Sequence, residues 1–198
     1  HLDARLPVQY VIRPQTHKFR DYRGYAGKIE GGAFKKGDRV KLLPSGFRST
    51  IKTIEINGQN IQEAYSPMSV SVTLKDDLDI SRGDMIVKEN NVPIISQDLD
   101  LMICWMDSAD LKSRKKVIIK HTTNECLGMI TEILYKLDIN TLHSIKDFED
   151  FKLNDIGRIK IRSSKPLFYD SYKRNRHTGS IILIDPNTNA TIAAGMIL

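Results

Sequence analysis

The feature that most constrains this chain is its punctuation. Short β-type runs follow one another through the first half, each closed by a turn former, with no helical stretch of useful length between them. Leu6 to Ile12 reads as a first strand ended by Arg13-Pro14, since proline removes a ladder donor. Tyr22 to Ile29 follows, and Gly31-Gly32 supplies a turn that needs positive φ. Turns at Lys36-Gly37 and Pro44-Ser45-Gly46 bracket another short strand. Thr50 to Ile56 runs into Asn57-Gly58, a strong hairpin signal. Ser69 to Leu74 alternates polar and apolar residues as a half-buried strand does, and Asp84 to Val87 closes the set after Arg82-Gly83. About six strands at this spacing predict a sandwich or a closed barrel.

The pattern breaks at Glu89-Asn90-Asn91-Val92-Pro93 and then resumes. Strands are expected at Leu99–Met106, Lys116–Lys120, Cys126–Leu137, Gly157–Ile161, Ser180–Ile184 and Ala190–Ile197. Leu142, Ile145, Phe148 and Phe151 recur at three-residue spacing, which fits a helical turn within 141–152. The expectation is an all-β chain of two tandem small β-barrels, residues 1–94 and 95–198. A length of 198 residues suits two such domains with modest cores.

Composition narrows the function. A hydrophobic share of 40% and a charged share of 27% exclude a disordered chain. No apolar run approaches the roughly 18–20 residues that span a bilayer. The opening His1-Leu2-Asp3-Ala4-Arg5 lacks a signal-peptide layout and reads as a chain entered midway. Cys104 and Cys126 are too few for a secreted disulfide scaffold, so the expected setting is a reducing cytoplasm. The net charge of +6 is uneven: residues 1–50 hold 11 Lys/Arg against 4 Asp/Glu. Such a basic face attracts nucleic acid or an acidic protein surface.

The motifs of common catalytic sites fail on their chemistry. Gly32 to Gly37 imitates a phosphate-binding loop, yet Asp38-Arg39 stands where Lys and Ser/Thr must reach the phosphates and Mg²⁺. Asp21-Tyr22-Arg23-Gly24 matches a GTPase Asp-x-x-Gly by letters alone. His121 and Cys126 lack further ligands nearby for zinc, and Asp76-Asp77-Leu78-Asp79 lacks the glycine and distal glutamate of a Ca²⁺ loop. No catalytic, cofactor-binding or metal-binding residue is therefore assigned.

Two basic, aromatic segments remain. One centres on Phe19, Arg20, Tyr22, Arg23 and Tyr25, the other on Arg174 and Arg176 within Tyr169–His177. Arg and Tyr are enriched at protein interfaces and also hold phosphates or stack on bases. These seven residues are the candidates for a partner interface, beside the readings of a plain exposed loop or a nucleic-acid site.

Longer stretches carry a family resemblance. Leu6 to Pro14, Phe19 to Gly27, Gly37 to Gly46 and Asp79 to Asp84 resemble the second domain of the GTP-binding large subunit of bacterial sulfate adenylyltransferase (ATP sulfurylase). Trp105-Met106, Leu137 to Thr141, Asn154 to Gly157, Pro166 to Tyr172 and Thr178 to Asp185 continue the likeness in order. One departure is Asn175-Arg176-His177, where family members tend to carry Asn-Pro before the Thr-Gly. The resemblance implies barrels of the elongation-factor domain 2 and domain 3 type that follow a G domain absent from this chain. It implies GTP and Mg²⁺ held in that G domain, and a separate catalytic subunit that transfers adenylyl from ATP to sulfate. GTP hydrolysis would drive formation of adenosine 5′-phosphosulfate and pyrophosphate in sulfate assimilation. The barrels would dock both partners, without membrane contact. The alternative is tRNA- or rRNA-binding barrels of a translation elongation or release factor.

The 198-residue chain should be inert toward GTP. Titration with a fluorescent GTP analogue in Mg²⁺ should give no saturable binding; a micromolar isotherm would place a nucleotide site inside the chain.

Overall fold

The computed structural model describes residues 3–14, 22–148 and 150–198. The chain divides into two compact units, His1–Pro93 and Ile94–Leu198. Every regular element among the described residues is a strand, and no helix is long and apolar enough to cross a membrane.

The first unit contains β1 (Arg5–Pro7), β2 (Tyr10–Ile12), β3 (Gly24–Lys28), β4 (Ala33–Lys35), β5 (Arg39–Leu43), β6 (Arg48–Ile56), β7 (Gln59–Ile61), β8 (Glu63–Tyr65), β9 (Ser69–Leu74) and β10 (Met85–Lys88). The expected strand at 6–12 is two strands, and the break between them closes the barrel. β1 pairs with β10, whereas β2 pairs with β3 at the other end of the order β1-β10-β5-β6-β9-β3-β2. Between them Val8 donates its amide to Asp84 at 2.8 Å and Gln9 donates to Ala26 at 2.8 Å. The ring therefore has no unpaired edge at its seam. Asn57 (φ 50°) and Gly58 (φ 78°) form the expected tight turn, in register from Ile56 to Gln59. Leu6, Phe34, Val40, Ile54, Val72 and Ile86 are sealed from solvent inside. Arg5 is also buried, and its guanidinium donates to the Asn91 carbonyl at 2.7 Å, so the first strand is tied to the unit's last turn.

The second unit contains β11 (Ile94–Trp105), β12 (Lys116–His121), β13 (Asn124–Leu137), β14 (Ser144–Ile145), β15 (Ile156–Tyr169), β16 (Ser180–Ile184) and β17 (Thr191–Ile197). Six of these close on themselves in the order β12-β16-β17-β11-β15-β13, because β13 also pairs with β12. The β11–β15 register shifts between Ser96 and Asp98, and β13–β15 shifts twice. Such irregularities bend long strands around a small barrel. Trp105, Val117, Ile119, Ile130, Ile159 and Leu183 fill it.

Among the described residues of 141–152 the expected helical turn does not form. The Asp138 carboxylate accepts the amides of Asn140 at 2.8 Å and Thr141 at 3.3 Å, and Leu142 takes φ 59°. This local capture diverts the backbone from a helix. Of the four spaced apolar residues only Phe151 is buried, while Leu142 is 72% exposed.

Gly27 shows how tightly the first barrel closes. A Cβ there would overlap the carbonyl oxygen of Pro7 on the crossing segment. Gly27→Ala should cost about 2 kcal/mol, the scale of overpacking a filled core. A urea midpoint unchanged from wild type would show that the seam yields.

Candidate functional site

The first basic segment is largely spent inside its own unit. Phe19 and Arg20 lie outside the described residues. Tyr22 donates to Glu55 at 3.1 Å, and burial together with that carboxylate pushes its hydroxyl pKa up to about 12. Arg23 pairs with Asp77 at 2.7 Å and donates to the Leu78 carbonyl at 3.0 Å. Tyr25 is only 1% exposed, and its hydroxyl donates to the same carbonyl at 2.8 Å. Tyr25 is therefore a core residue. The acidic turn at 76–79, which offers no Ca²⁺ geometry in sequence, is the counterpart of this strand. Asp38, in the false phosphate loop, accepts the Lys35 amide at 2.9 Å and so closes a hairpin.

The second basic segment is built differently. It forms an excursion over residues 170–179 between β15 and β16, anchored by polar groups beneath it. Asp170 is 4% exposed and accepts the Thr178 hydroxyl at 2.9 Å. Asn175 is 2% exposed, and its side-chain oxygen accepts the amides of His177 at 3.0 Å and Thr178 at 3.4 Å. His121 lies beneath, with Nε2 2.7 Å from the Thr178 carbonyl. A carbonyl only accepts, so Nε2 carries the proton. Gly179 completes the frame, because a Cβ there would overlap the Tyr172 backbone. The excursion thus holds Lys173, Arg174, Arg176 and His177 exposed on a fixed scaffold, with the Arg176 guanidinium 6.0 Å from the centre of the Tyr172 ring. Arg174 and Arg176 stand together here, in a different unit from Tyr22, Arg23 and Tyr25.

Asp170, Asn175 and His121 were not identifiable as a group from sequence. His121 ends an apolar strand more than fifty positions from its partner, and only the fold unites them.

A depression of about 360 Å³ is lined by Met106, Asp107, Asp185 and Ile192. Its two carboxylates share Lys115, at 3.9 and 3.3 Å, and each caps a turn. Among the described residues no three His, Cys, Asp or Glu converge as metal ligands.

Residues 98–198, which include this excursion, match the family model described as GTP-eEF1A C-terminal domain-like. The chain belongs to that family. It is 48% identical over all 198 residues to the bifunctional enzyme CysN/CysC of Mycobacterium tuberculosis, covering 32% of that protein. It is 44% identical to sulfate adenylyltransferase subunit 1 of Bacteroides fragilis, over 99% of this chain and 40% of that protein. The chain thus spans about a third to two fifths of these relatives' lengths, and the resemblance drawn from its motifs holds end to end. Sup35 complexed with GDP shares the fold: TM-score 0.86 at 16% identity, over 99% of this chain and 47% of that one.

The buried frame has a pH signature. Burial lowers the His121 pKa from its ordinary 6.5, outweighing the Thr178 hydrogen bond and the Asp170 charge. The unfolded chain therefore binds a proton below about pH 6.5 that the folded chain refuses, and stability falls as pH drops through that range. Thermal melts at pH 7.5 and 5.5 should show a larger loss for wild type than for His121→Gln. Equal losses would remove His121 as the cause.

Proposed function

We propose that this chain is the non-catalytic barrel region of the GTPase subunit of a sulfate adenylyltransferase. Its task is to dock a G domain and a separate catalytic subunit. One observation carries the reading: identity of 41–48% to CysN/CysC and sulfate adenylyltransferase subunit 1 proteins extends over 99–100% of the chain. The GTP and Mg²⁺ sites belong to other parts of the parent, in the cytoplasm. In the catalysed transfer a sulfate oxygen bonds to the α-phosphorus of ATP as the bond to the β-phosphate oxygen breaks and pyrophosphate departs. The mixed anhydride formed is less stable than the bond lost, so GTP hydrolysis has to be coupled to it.

Within this reading the excursion at 170–179 is a preorganised basic contact. Its arginines lose little freedom on binding because the frame already fixes their backbone. Arg23 contributes less, with its charge matched by Asp77.

A second reading rests on the Sup35-like fold and the exposed cations of the same excursion: barrels that hold tRNA or ribosomal RNA. The two differ in salt response, since phosphate contacts release counterions and give a steep log–log slope.

In the full-length protein, Arg174→Ala with Arg176→Ala should lower adenylylsulfate formed per GTP hydrolysed by at least about threefold, with GTP affinity unchanged. This corresponds to under 1 kcal/mol, within reach of exposed charge contacts. Full coupling in the double variant, or tight salt-sensitive RNA binding by wild type, would favour the RNA reading.

A further inference from the structure

The tip of the β6–β7 hairpin joins two residues whose chemistry outlasts their role in the turn. Ten asparagines occur in the chain, and Asn57 alone precedes a glycine. Both Asn57 and Gly58 are exposed. A side chain at Gly58 would meet nothing within 4 Å, so water and the Asn57 amide reach the Gly58 nitrogen freely.

An asparagine side chain is an amide within reach of the next backbone nitrogen, one ring closure away. A Cβ on the following residue crowds that nitrogen, and glycine has none. Two other asparagines serve as comparisons inside the same chain. Asn154 (φ 70°) and Asn189 (φ 57°) share with Asn57 (φ 50°) the left-handed backbone and an exposed position. They are followed by Asp155 and Ala190, so backbone shape and solvent are matched while the neighbour differs.

The closed turn opposes the reaction. With both central residues at positive φ it is a type I′ turn, in which the next nitrogen is turned away from the asparagine side chain. Attack therefore needs the tip to open. Opening is local, because β7 pairs with β6 and lies off the path β1-β10-β5-β6-β9-β3-β2 that closes the barrel.

We propose that Asn57 is a deamidation site, where the chain ages by losing a side-chain amide through a cyclic imide with Gly58. Hydroxide removes the Gly58 amide proton, and the nitrogen attacks Cγ of Asn57. The N–Cγ bond forms as Cγ–Nδ2 breaks, and Nδ2 leaves as ammonia after taking a proton from water. Water then opens the five-membered imide. Cleavage of the new N–Cγ bond gives aspartate; cleavage at the original peptide carbonyl gives isoaspartate, whose chain runs through Cβ and Cγ. That extra backbone atom breaks the register of Ile56 with Gln59. Ile61, which packs against the first core, then loses its strand, while the ring itself stays closed.

The test is tryptic peptide mapping by mass spectrometry of the full-length protein carrying this chain, stored at pH 7.5 and 8.5. Asn57 should convert at least about tenfold faster than Asn154 and Asn189, a barrier difference within reach of one steric contact. Its rate should rise about tenfold between the two pH values, since the attacking amide anion is scarce far below its pKa. Isoaspartate should form part of the product, and hydrogen exchange in the aged protein should quicken at residues 59–61 but not at 69–74. Protein unfolded in urea should convert faster at Asn57, because the turn no longer holds it. Equal rates at the three asparagines, or conversion at Asn57 in urea but none in folded protein, would remove the site. Aspartate without isoaspartate would mean direct hydrolysis, and the imide route would be wrong.

Discussion

Ring closure is the constraint on which both units depend. A small sheet in water has two edges, and every unpaired amide on them invites foreign strands or loses a bond. Each unit removes its edges by letting one stretch of chain pair on both sides. In the first, residues 5–12 pair with β10 and then cross to β3. In the second, β13 pairs with β12 through Met129 and with β15 from Gly128 onward. Both handovers use a glycine. A Cβ on Gly27 would strike the crossing segment, and one on Gly128 would strike the Ile119 side chain and press on the Arg162 carbonyl. Neighbouring strands approach most closely where one passes between partners, and a missing side chain makes the room.

Closure also decides where function can reside. Among the described residues the interior of each small ring is filled by its own side chains. The exterior and the connections carry the exposed polar groups. The excursion at 170–179 is more ordered than a surface loop needs to be. It keeps an aspartate, an asparagine and a histidine out of water, and each is accepted there only because it is hydrogen-bonded. The barrel end thereby gains a rigid cationic feature at the cost of sensitivity to acid.

Strand existence was legible because period-two patterns and turn chemistry act locally. Ser69–Leu74 and Ser180–Ile184 match their observed bounds, and Asn57-Gly58 turns as its residues require. The split at Val8-Gln9 was not legible, since both halves are extended and only their partners differ. The short pair β4–β8 (Ala33 opposite Tyr65) escaped notice because three residues carry no period. The spacing of Leu142, Ile145, Phe148 and Phe151 misled because the Asp138 carboxylate captured the backbone first. At the candidate site, composition found the arginines but could not show that Asp77 matches Arg23 while Arg176 lies over the Tyr172 ring. Arg23 and Arg176 look alike in sequence; Asp77, remote along the chain, distinguishes them.

A docking region without a nucleotide site influences a coupled reaction in one way: by binding a partner unequally in different states of the whole. Each tenfold bias requires about 1.4 kcal/mol of differential contact. A deformable loop would dissipate such a difference in its own rearrangement, because ordering entropy absorbs it. Two closed rings, one carrying an excursion pinned from beneath, spend little on rearrangement and can pass the difference on. On the proposed reading, the same economy that seals the strand edges makes the barrels useful to a GTPase. Their outer faces and connections then decide what they touch.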